Sequence, residues 1–176
     1  MSGEVIARLF VAGRPRTKGS LKPIHTRGGK GRPCRVSLTE DHELATPWKK
    51  TMIKTILAAR HGRPVGYTGP VEVHAFYRFE RERSVDNGQE GGAVWPSHDT
   101  PWPTSADIGD EDKLRRNLLD ALTQSGLLAD DRLVIGGMNY KRWCEPSEDP
   151  GVAFVVVAAG SPDRLTAWDR EGMFNA

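Results

Sequence analysis

The sequence predicts a small single domain of the α/β class, of the α+β type, in which two main helices pack on a mixed or antiparallel sheet. Its length of 176 residues suits one domain with a sizeable core. The composition, with 38% hydrophobic residues, 19 Gly and 12 Pro, is typical of a globular protein with many loops. Periodic segments follow in the order strand, helix, strand, loop, helix, strand, strand, which favours this class. We therefore treat residues 1–176 as one domain.

The first half of the chain contains two strand patterns and one helix pattern. Residues 4–12 alternate between two faces, as a strand does. Apolar residues also occupy every second position from Val71 to Phe79, which predicts another strand. Between these strands, residues 41–60 carry apolar side chains four residues apart, which predicts an amphipathic helix with Pro47 in its first turn.

The second half contains one helix pattern and two strand patterns. Residues 113–125 carry a narrow apolar stripe at helical spacing, and Gly126 ends it. Strand patterns follow at 132–139 and 152–159. The last pattern is a continuous apolar run, so we expect this strand in the centre of the sheet.

Three segments lack periodicity: a basic N-terminal arm at 13–37, a long loop at 81–109 and a polar C-terminal tail from about 161. From Arg14 to Arg35 the arm has eight basic residues and no acidic one, although the net charge of the chain is only +2. Its basic residues are Arg14, Arg16, Lys18, Lys22, Arg27, Lys30, Arg32 and Arg35. Because an extended basic segment attracts polyanions, we expect the arm to contact nucleic acid.

Several common classes of protein lack support in the sequence. It has neither the roughly 20 consecutive apolar residues of a membrane helix nor a secretory signal, so we expect a cytoplasmic protein without a membrane partner. Cys34 and Cys144 lack the spacing of a zinc or disulfide framework. His42 and Glu43 begin a zinc-protease motif, but Thr46 replaces its second His. Phosphate-loop, dinucleotide and serine-hydrolase motifs are missing as well, so we expect no small-molecule cofactor.

Acidic residues concentrate at both ends of the second helix. Asp110, Glu111 and Asp112 stand at its start, and Asp130 and Asp131 follow the turn after it. The side chains of Asp110 and Asp112 converge if the helix begins at about Glu111 or Asp112, and Asp131 can return to the same end of the sheet. Three carboxylates without His or Cys favour Mg²⁺ or Mn²⁺. The alternative is that these residues are helix caps and solvated turn residues.

Arg116 lies one turn after Asp112 and one turn before Asp120. At this spacing it can contact a phosphate oxygen beside the acidic residues. It can equally form a ladder of ion pairs with Asp112 and Asp120 on a solvated face. The spacing alone leaves both interpretations open.

The run Asp110–Leu122 (DEDKLRRNLLDAL), followed by Leu128–Val134 (LADDRLV) and Lys141, resembles the RusA family of Holliday-junction resolvases. The family pattern is D-x-D-N-L-x-K-x-x-x-D-A-L, a short turn, then D-D and a strand that ends near a lysine. Residues 13–19 (GRPRTKG) are also similar to that family's G-x-P-x-x-K-G opening. The resemblance spans about residues 5–158.

The resemblance implies a homodimeric endodeoxyribonuclease that binds four-way DNA junctions and resolves them by paired symmetric nicks during recombination and repair. It implies Mg²⁺, or Mn²⁺ as a substitute, held by Asp110, Asp112 and Asp131. Arg116 stands in the place of the family's catalytic lysine, and Lys113 in the place of its asparagine. Together with the charge pattern, the resemblance also indicates which residues bind DNA. These are Arg14, Arg16, Lys18, Lys22, Lys113 and Lys141.

Other functions remain open. A metal-dependent nuclease could use the same chemistry on flaps or other branched DNA. A non-catalytic DNA-binding protein would need the basic arm but no converging carboxylates. A structural or regulatory protein could use the arm as a docking tail. For the nuclease we expect a bacterial cell, or one infected by phage.

Overall fold

A computed structural model describes residues 4–18, 21–26, 35–40, 45–60, 66–80, 102–104, 108–145 and 147–160. The elements in chain order are seven strands, two α-helices and one short 3₁₀ turn. They are β1 (Val5–Ala12), β2 (Leu21–Thr26), β3 (Arg35–Glu40), α1 (Ala45–Ala59), β4 (Val71–Phe79), α2 (Glu111–Gln124), the 3₁₀ turn (Asp131–Leu133), β5 (Val134–Gly136), β6 (Asn139–Trp143) and β7 (Gly151–Ala158).

The main sheet has the order β1-β7-β4, and β5 and β6 both lie along the outer side of β4. Strand β7 runs antiparallel to both of its neighbours, whereas β5 and β6 run parallel to β4. The sheet is therefore mixed, and the fold class predicted from the sequence is confirmed. The central position of β7 agrees with its continuous apolar run, because both of its edges and one of its faces are covered.

Helices α1 and α2 contribute to one core with the sheet. The buried side chains of α1 include Trp48, Met52 and Ile56, at the predicted spacing of four, and Pro47 lies in the first turn, where it breaks no helical hydrogen bond. From β4, the alternate residues Val71 to Phe79 point into the core and are at most 1% exposed. The predicted faces of α1 and β4 are thus confirmed.

The strand predicted for 132–139 is interrupted in the structure. It is replaced by the 3₁₀ turn, by β5 and by the start of β6. At the break, Gly137 has a φ of 126°, and a Cβ on this residue would lie 1.9 Å from the carbonyl oxygen of Val73. Arg115 of α2 donates hydrogen bonds to the carbonyls of Gly136 and Gly137 at 3.1 and 3.2 Å. The break therefore anchors α2 to the edge of the sheet.

A second sheet overlaps the predicted basic arm. Strands β2 and β3 pair antiparallel as a two-stranded sheet, with Leu21 opposite Glu40 and Thr26 opposite Arg35. The sequence analysis expected an extended arm without strands here, so this hairpin is a correction. Most of the loop predicted at 81–109, and the tail from 161, fall outside the described residues. Within the part of the chain that is described, no helix is long and apolar enough to cross a membrane.

Candidate functional site at the start of helix α2

Helix α2 begins at Glu111. This is one of the two starting positions at which the sequence analysis expected the side chains of Asp110 and Asp112 to converge. Asp110 is extended, with φ −78° and ψ 143°, and precedes the helix. Gly109 has a φ of 77°, and a Cβ on it would lie 2.4 Å from Cγ2 of Thr17. A glycine is needed here both for its backbone conformation and for the close approach of the chain around Thr17.

Asp110 stands at the N-cap position, yet its side chain accepts no capping hydrogen bond. Its carboxylate instead pairs with Nζ of Lys113 at 2.8 Å. This hydrogen bond, reinforced by the charges of Lys113 and Lys141, holds the pKa of Asp110 below its ordinary value. Lys141 itself donates a hydrogen bond from Nζ to the Gly109 carbonyl at 2.9 Å. The helix-cap interpretation of Asp110 therefore lacks its defining contact.

Asp112 pairs with Arg116 one turn further along, with 3.1 Å between Oδ2 and Nη2. Both side chains are more than half exposed, at 55% and 67%. The pKa of Lys113 is raised, first by its hydrogen bond to Asp110 and then by the charges of Asp110 and Asp112. The Lys113 ammonium thus lies within electrostatic reach of both carboxylates. The acidic side chains of Asp110 and Asp112 therefore form one solvent-accessible cluster with the basic side chains of Lys113, Arg116 and Lys141.

Residues 13–18, here called the basic segment, pack along α2. The backbone N–H of Lys18 donates to the Lys113 carbonyl at 3.2 Å. Nδ2 of Asn117, which is fully buried, donates to the Arg16 carbonyl at 2.9 Å. These contacts place the basic segment beside the acidic start of α2.

An ion pair with Asp120 also holds the basic segment against α2. Its Oδ2 atom lies 2.7 Å from Nζ of Lys18 and 3.8 Å from Nζ of Lys49 on α1. Among the described side chains, Asp120 forms no ion pair with Arg116. Of the ladder that the spacing allowed as one interpretation, only the pair of Arg116 with Asp112 is observed.

Asp131 does not join Asp110 and Asp112. Nowhere in the described part of the chain do three or more His, Cys, Asp or Glu side chains stand where they could hold one metal ion. Helix α2 has 14 residues and is therefore about 21 Å long. The chain leaves it beside Tyr67, before β4 begins, whereas Gly109 lies beside Lys141, near the other end of β4. The expected convergence of three carboxylates is not observed within one chain.

The residues after α2 also have a structural use. Asp130 caps the 3₁₀ turn, since its Oδ1 accepts a hydrogen bond from the Arg132 N–H at 2.9 Å. The turn interpretation of the second acidic pair is thus correct for Asp130. Asp131 lies inside the turn itself.

Two carboxylates on one exposed turn fit Mg²⁺, which keeps several waters and binds through one or two carboxylates plus phosphate oxygens. Asp110 and Asp112 could hold such an ion, with Lys113 displaced from Asp110. The three-carboxylate set that includes Asp131 does not fit within one chain.

The predicted DNA-binding residues fall into two groups. Arg14, Arg16, Lys18, Lys113 and Lys141 lie on the basic segment, on α2 and on β6, and the contacts above join these three elements at the start of α2. Lys22 lies on β2, in the separate hairpin.

Sequence reasoning missed Gly109 and Asn117. For Asn117 the available signal was a polar residue inside the apolar stripe of α2, between Leu114 and Leu118.

A scan against models of known protein families and a search of curated proteins found no match to this chain.

Proposed function

We propose that the protein is a Mg²⁺-dependent endodeoxyribonuclease of the RusA type that resolves four-way DNA junctions as a homodimer. One observation carries the proposal: the basic segment is hydrogen-bonded along the first turns of α2, beside Asp110 and Asp112. Basic residues that could bind phosphate therefore lie on a segment next to the carboxylates that could bind a metal ion. A nuclease needs this combination, because the scissile phosphate must lie next to the metal.

Asp110 and Asp112 would hold the Mg²⁺ ion. The ion, when bound, would polarise the phosphate and lower the pKa of an attacking water. Arg116 lies one turn after Asp112 and can bind phosphate oxygens through two N–H groups. Because a guanidinium does not readily release a proton, Arg116 stabilises charge and does not act as a general acid.

The basic segment and Lys141 supply affinity for the DNA backbone. Contacts to phosphates release counterions, so binding should weaken steeply as salt increases. Such contacts position the duplex but carry no sequence information. Junction preference would then come from the paired sites of a two-fold dimer. We place this activity in the bacterial cytoplasm, where Mn²⁺ could substitute for Mg²⁺.

The proposal is tested by incubating the protein with a synthetic four-way junction, a flap and a linear duplex of matched sequence, in Mg²⁺, Mn²⁺ or EDTA. We expect symmetric nicks in the junction with either metal and none in EDTA. Equal cleavage of flap and junction would point to a broader branched-DNA nuclease. Failure to cut any substrate with either metal would contradict the proposal.

A non-catalytic DNA-binding protein is a second candidate. The observation that favours it is that Asp110 and Asp112 already pair with basic side chains, and Asp131 lies elsewhere. This candidate predicts junction binding that is the same in Mg²⁺ and in EDTA, without cleavage at any metal concentration. Gel shifts run alongside the cleavage assay distinguish the two functions.

A further inference from the structure

The face of the sheet opposite the helices carries exposed aromatic rings. Directly paired residues of neighbouring strands point to the same side of a sheet. The register therefore places Phe10, Ala153, Phe76 and Tyr140 in one row across β1, β7, β4 and β6. This row points away from the core, because Phe76 alternates with the buried residues of β4. The three aromatic side chains of the row are 38%, 41% and 51% exposed, in the same order.

Phe76 and Tyr140 form a stacked pair. Their ring centroids lie 5.5 Å apart, with an angle of 17° between the planes. Each ring therefore turns one face toward the other and its second face away. The next residue in the row beside Phe76 is Ala153, which is too small to cover an aromatic ring. Beside Tyr140, no described strand pairs with the outer side of β6. A nucleobase, which is flat and aromatic, can extend this stack at either end.

Two guanidinium groups lie next to the stacked pair. Arg78 follows Phe76 by two residues on β4, and Arg142 follows Tyr140 by two residues on β6, so both point to the same face as the rings. Arg142 donates two hydrogen bonds to Glu148, at 2.5 and 2.6 Å, and Arg78 lies 3.4 Å from the same carboxylate. One carboxylate is thus shared by two guanidinium groups. The remaining positive charge suits a phosphate group.

The charge is distributed unevenly around the rings. The Arg78 guanidinium also lies over the Phe10 ring, 5.1 Å from its centre, so the positive charge extends along the row toward β1. On the other side of Phe76, β4 carries His74 and Glu72, with 3.3 Å between Nε2 and Oε2. Phosphates are attracted to the arginine side of the rings and repelled by Glu72. A nucleic-acid backbone is therefore expected on the arginine side.

The stacked pair lies across the edge of the sheet from the start of α2. Tyr140 and Lys141 are neighbours on β6 and point to opposite faces. Tyr140 stacks on Phe76, whereas Lys141 donates a hydrogen bond from Nζ to the carbonyl of Gly109, the residue before Asp110. A DNA strand that leaves the start of α2 in this direction has only β6 to cross before it reaches Tyr140.

We propose that Phe76 and Tyr140 form a stacking site for unpaired bases of single-stranded DNA, with the phosphates beside Arg78 and Arg142. The site is separate from the carboxylates at the start of α2 and needs no metal ion. It goes beyond the proposed nuclease activity, since a strand can stack here whether or not it is cut. Only the path from the start of α2 over β6 rests on the proposed function.

The test is the binding of a labelled thymidine strand of about 12 nucleotides, followed by fluorescence anisotropy in EDTA. A strand of equal length built from abasic nucleotides is the matched probe, because it keeps the phosphates and lacks the bases. We expect the wild type to bind the thymidine strand about fivefold more tightly or better, as for about 1 kcal/mol of stacking. Phe76→Leu and Tyr140→Leu each remove a ring and stay apolar, so each should lose most of this preference. Tyr140→Trp should keep it.

Ile135→Ala is the control variant. Ile135 is 54% exposed on β5 and points to the same face, because its neighbour Val134 pairs with the buried Val71. The change removes apolar surface but no ring, so the preference for the thymidine strand should not change. Tyr140 is half exposed on the edge strand β6, which keeps Tyr140→Leu informative if Phe76→Leu does not fold.

Equal affinity of the wild type for the two strands overturns the inference, as does an undiminished preference in folded Tyr140→Leu. If light scattering shows that Tyr140→Leu changes the molar mass in solution while the preference for bases persists, the face contacts protein and the inference is wrong. A protein that binds bases through these rings but cuts no junction supports the stacking site and contradicts only the proposed nuclease activity. Junction cleavage with equal affinity for the two strands overturns the stacking site alone.

Discussion

The side-chain amide of Asn117 donates a hydrogen bond to the Arg16 carbonyl at 2.9 Å, across 101 residues of sequence. Asn117 is fully buried, and this bond holds the basic segment against α2. The contact thereby couples the basic segment to the helix that begins beside Asp110 and Asp112.

Replacing Asn117 by Leu should weaken this coupling. The change keeps the number and branching of the side-chain heavy atoms but leaves the Arg16 carbonyl without its donor, so we expect a loss of about 1–3 kcal/mol in the free energy of unfolding. Junction affinity should fall several-fold, with a shallower dependence on salt. Asn139→Leu is the control, because Asn139 lies on β6 and also has a buried Oδ1 without a hydrogen-bond partner in the structure described. Wild-type affinity and salt dependence in Asn117→Leu would show that the basic segment does not need this bond to bind DNA.

Arg116 should matter for turnover more than for stability. Its pair with Asp112 is exposed on both sides, so Arg116→Ala should change the free energy of unfolding by no more than about 0.5 kcal/mol. If Arg116 stabilises charge in the transition state, the same variant should cut junctions about 10²-fold more slowly, and Arg116→Lys should keep much of the activity. Urea denaturation and single-turnover cleavage measure the two effects. Full turnover with reduced stability in Arg116→Ala would instead assign it to a structural ion pair.

Lys113 should compete with the metal ion. Its ammonium lies 2.8 Å from the Asp110 carboxylate that would bind Mg²⁺. Lys113→Asn removes this cation and adds a neutral oxygen ligand, so the Mg²⁺ concentration for half-maximal cleavage should fall several-fold. Lys54→Asn, on the exposed side of α1, is the control for general charge loss. An unchanged or higher Mg²⁺ requirement in Lys113→Asn would mean that Lys113 does not occupy the ion's position.

The Glu148 carboxylate should make stability depend on acid pH. Hydrogen bonds from Arg142 and from the Glu145 backbone lower the pKa of Glu148 from 4.5 to about 2. A carboxyl group with a lowered pKa stabilises the fold above its unfolded pKa, and this contribution is lost as the pH falls through the folded pKa. Wild type should therefore exceed Glu148→Gln in stability at pH 7, and the gap should close between about pH 5 and pH 2. Thermal unfolding across that range measures it, and a gap that does not vary with pH would contradict the assignment.

Sequence periodicity predicted the elements whose buried residues recur at a regular spacing along the chain. The spacing of Trp48, Met52 and Ile56 identified the buried side of α1, and the start of α2 at Glu111 agreed with its apolar stripe. The break at Gly137 was not predicted, because it depends on the Val73 carbonyl on another strand.

Contacts between residues that are distant in sequence also determine which side chains come together at the candidate site. The spacing allowed Asp120 to pair with Arg116, four residues away, but Asp120 pairs with Lys18 and Lys49. The position of Asp131 depended on the length and direction of α2 relative to β4, which residue spacing does not report.

The most direct test of the nuclease proposal compares Asp112→Asn with Glu4→Gln, an exposed carboxylate at the other end of the sheet. Four-way-junction cleavage is measured in Mg²⁺, and junction binding is measured by gel shift in EDTA. The proposal predicts that Asp112→Asn binds the junction as tightly as the wild type but does not cut it, while Glu4→Gln does both, because Asp112 contributes to metal binding and Glu4 does not. Cleavage by Asp112→Asn at the wild-type rate would contradict the assignment of the start of α2 as the catalytic site.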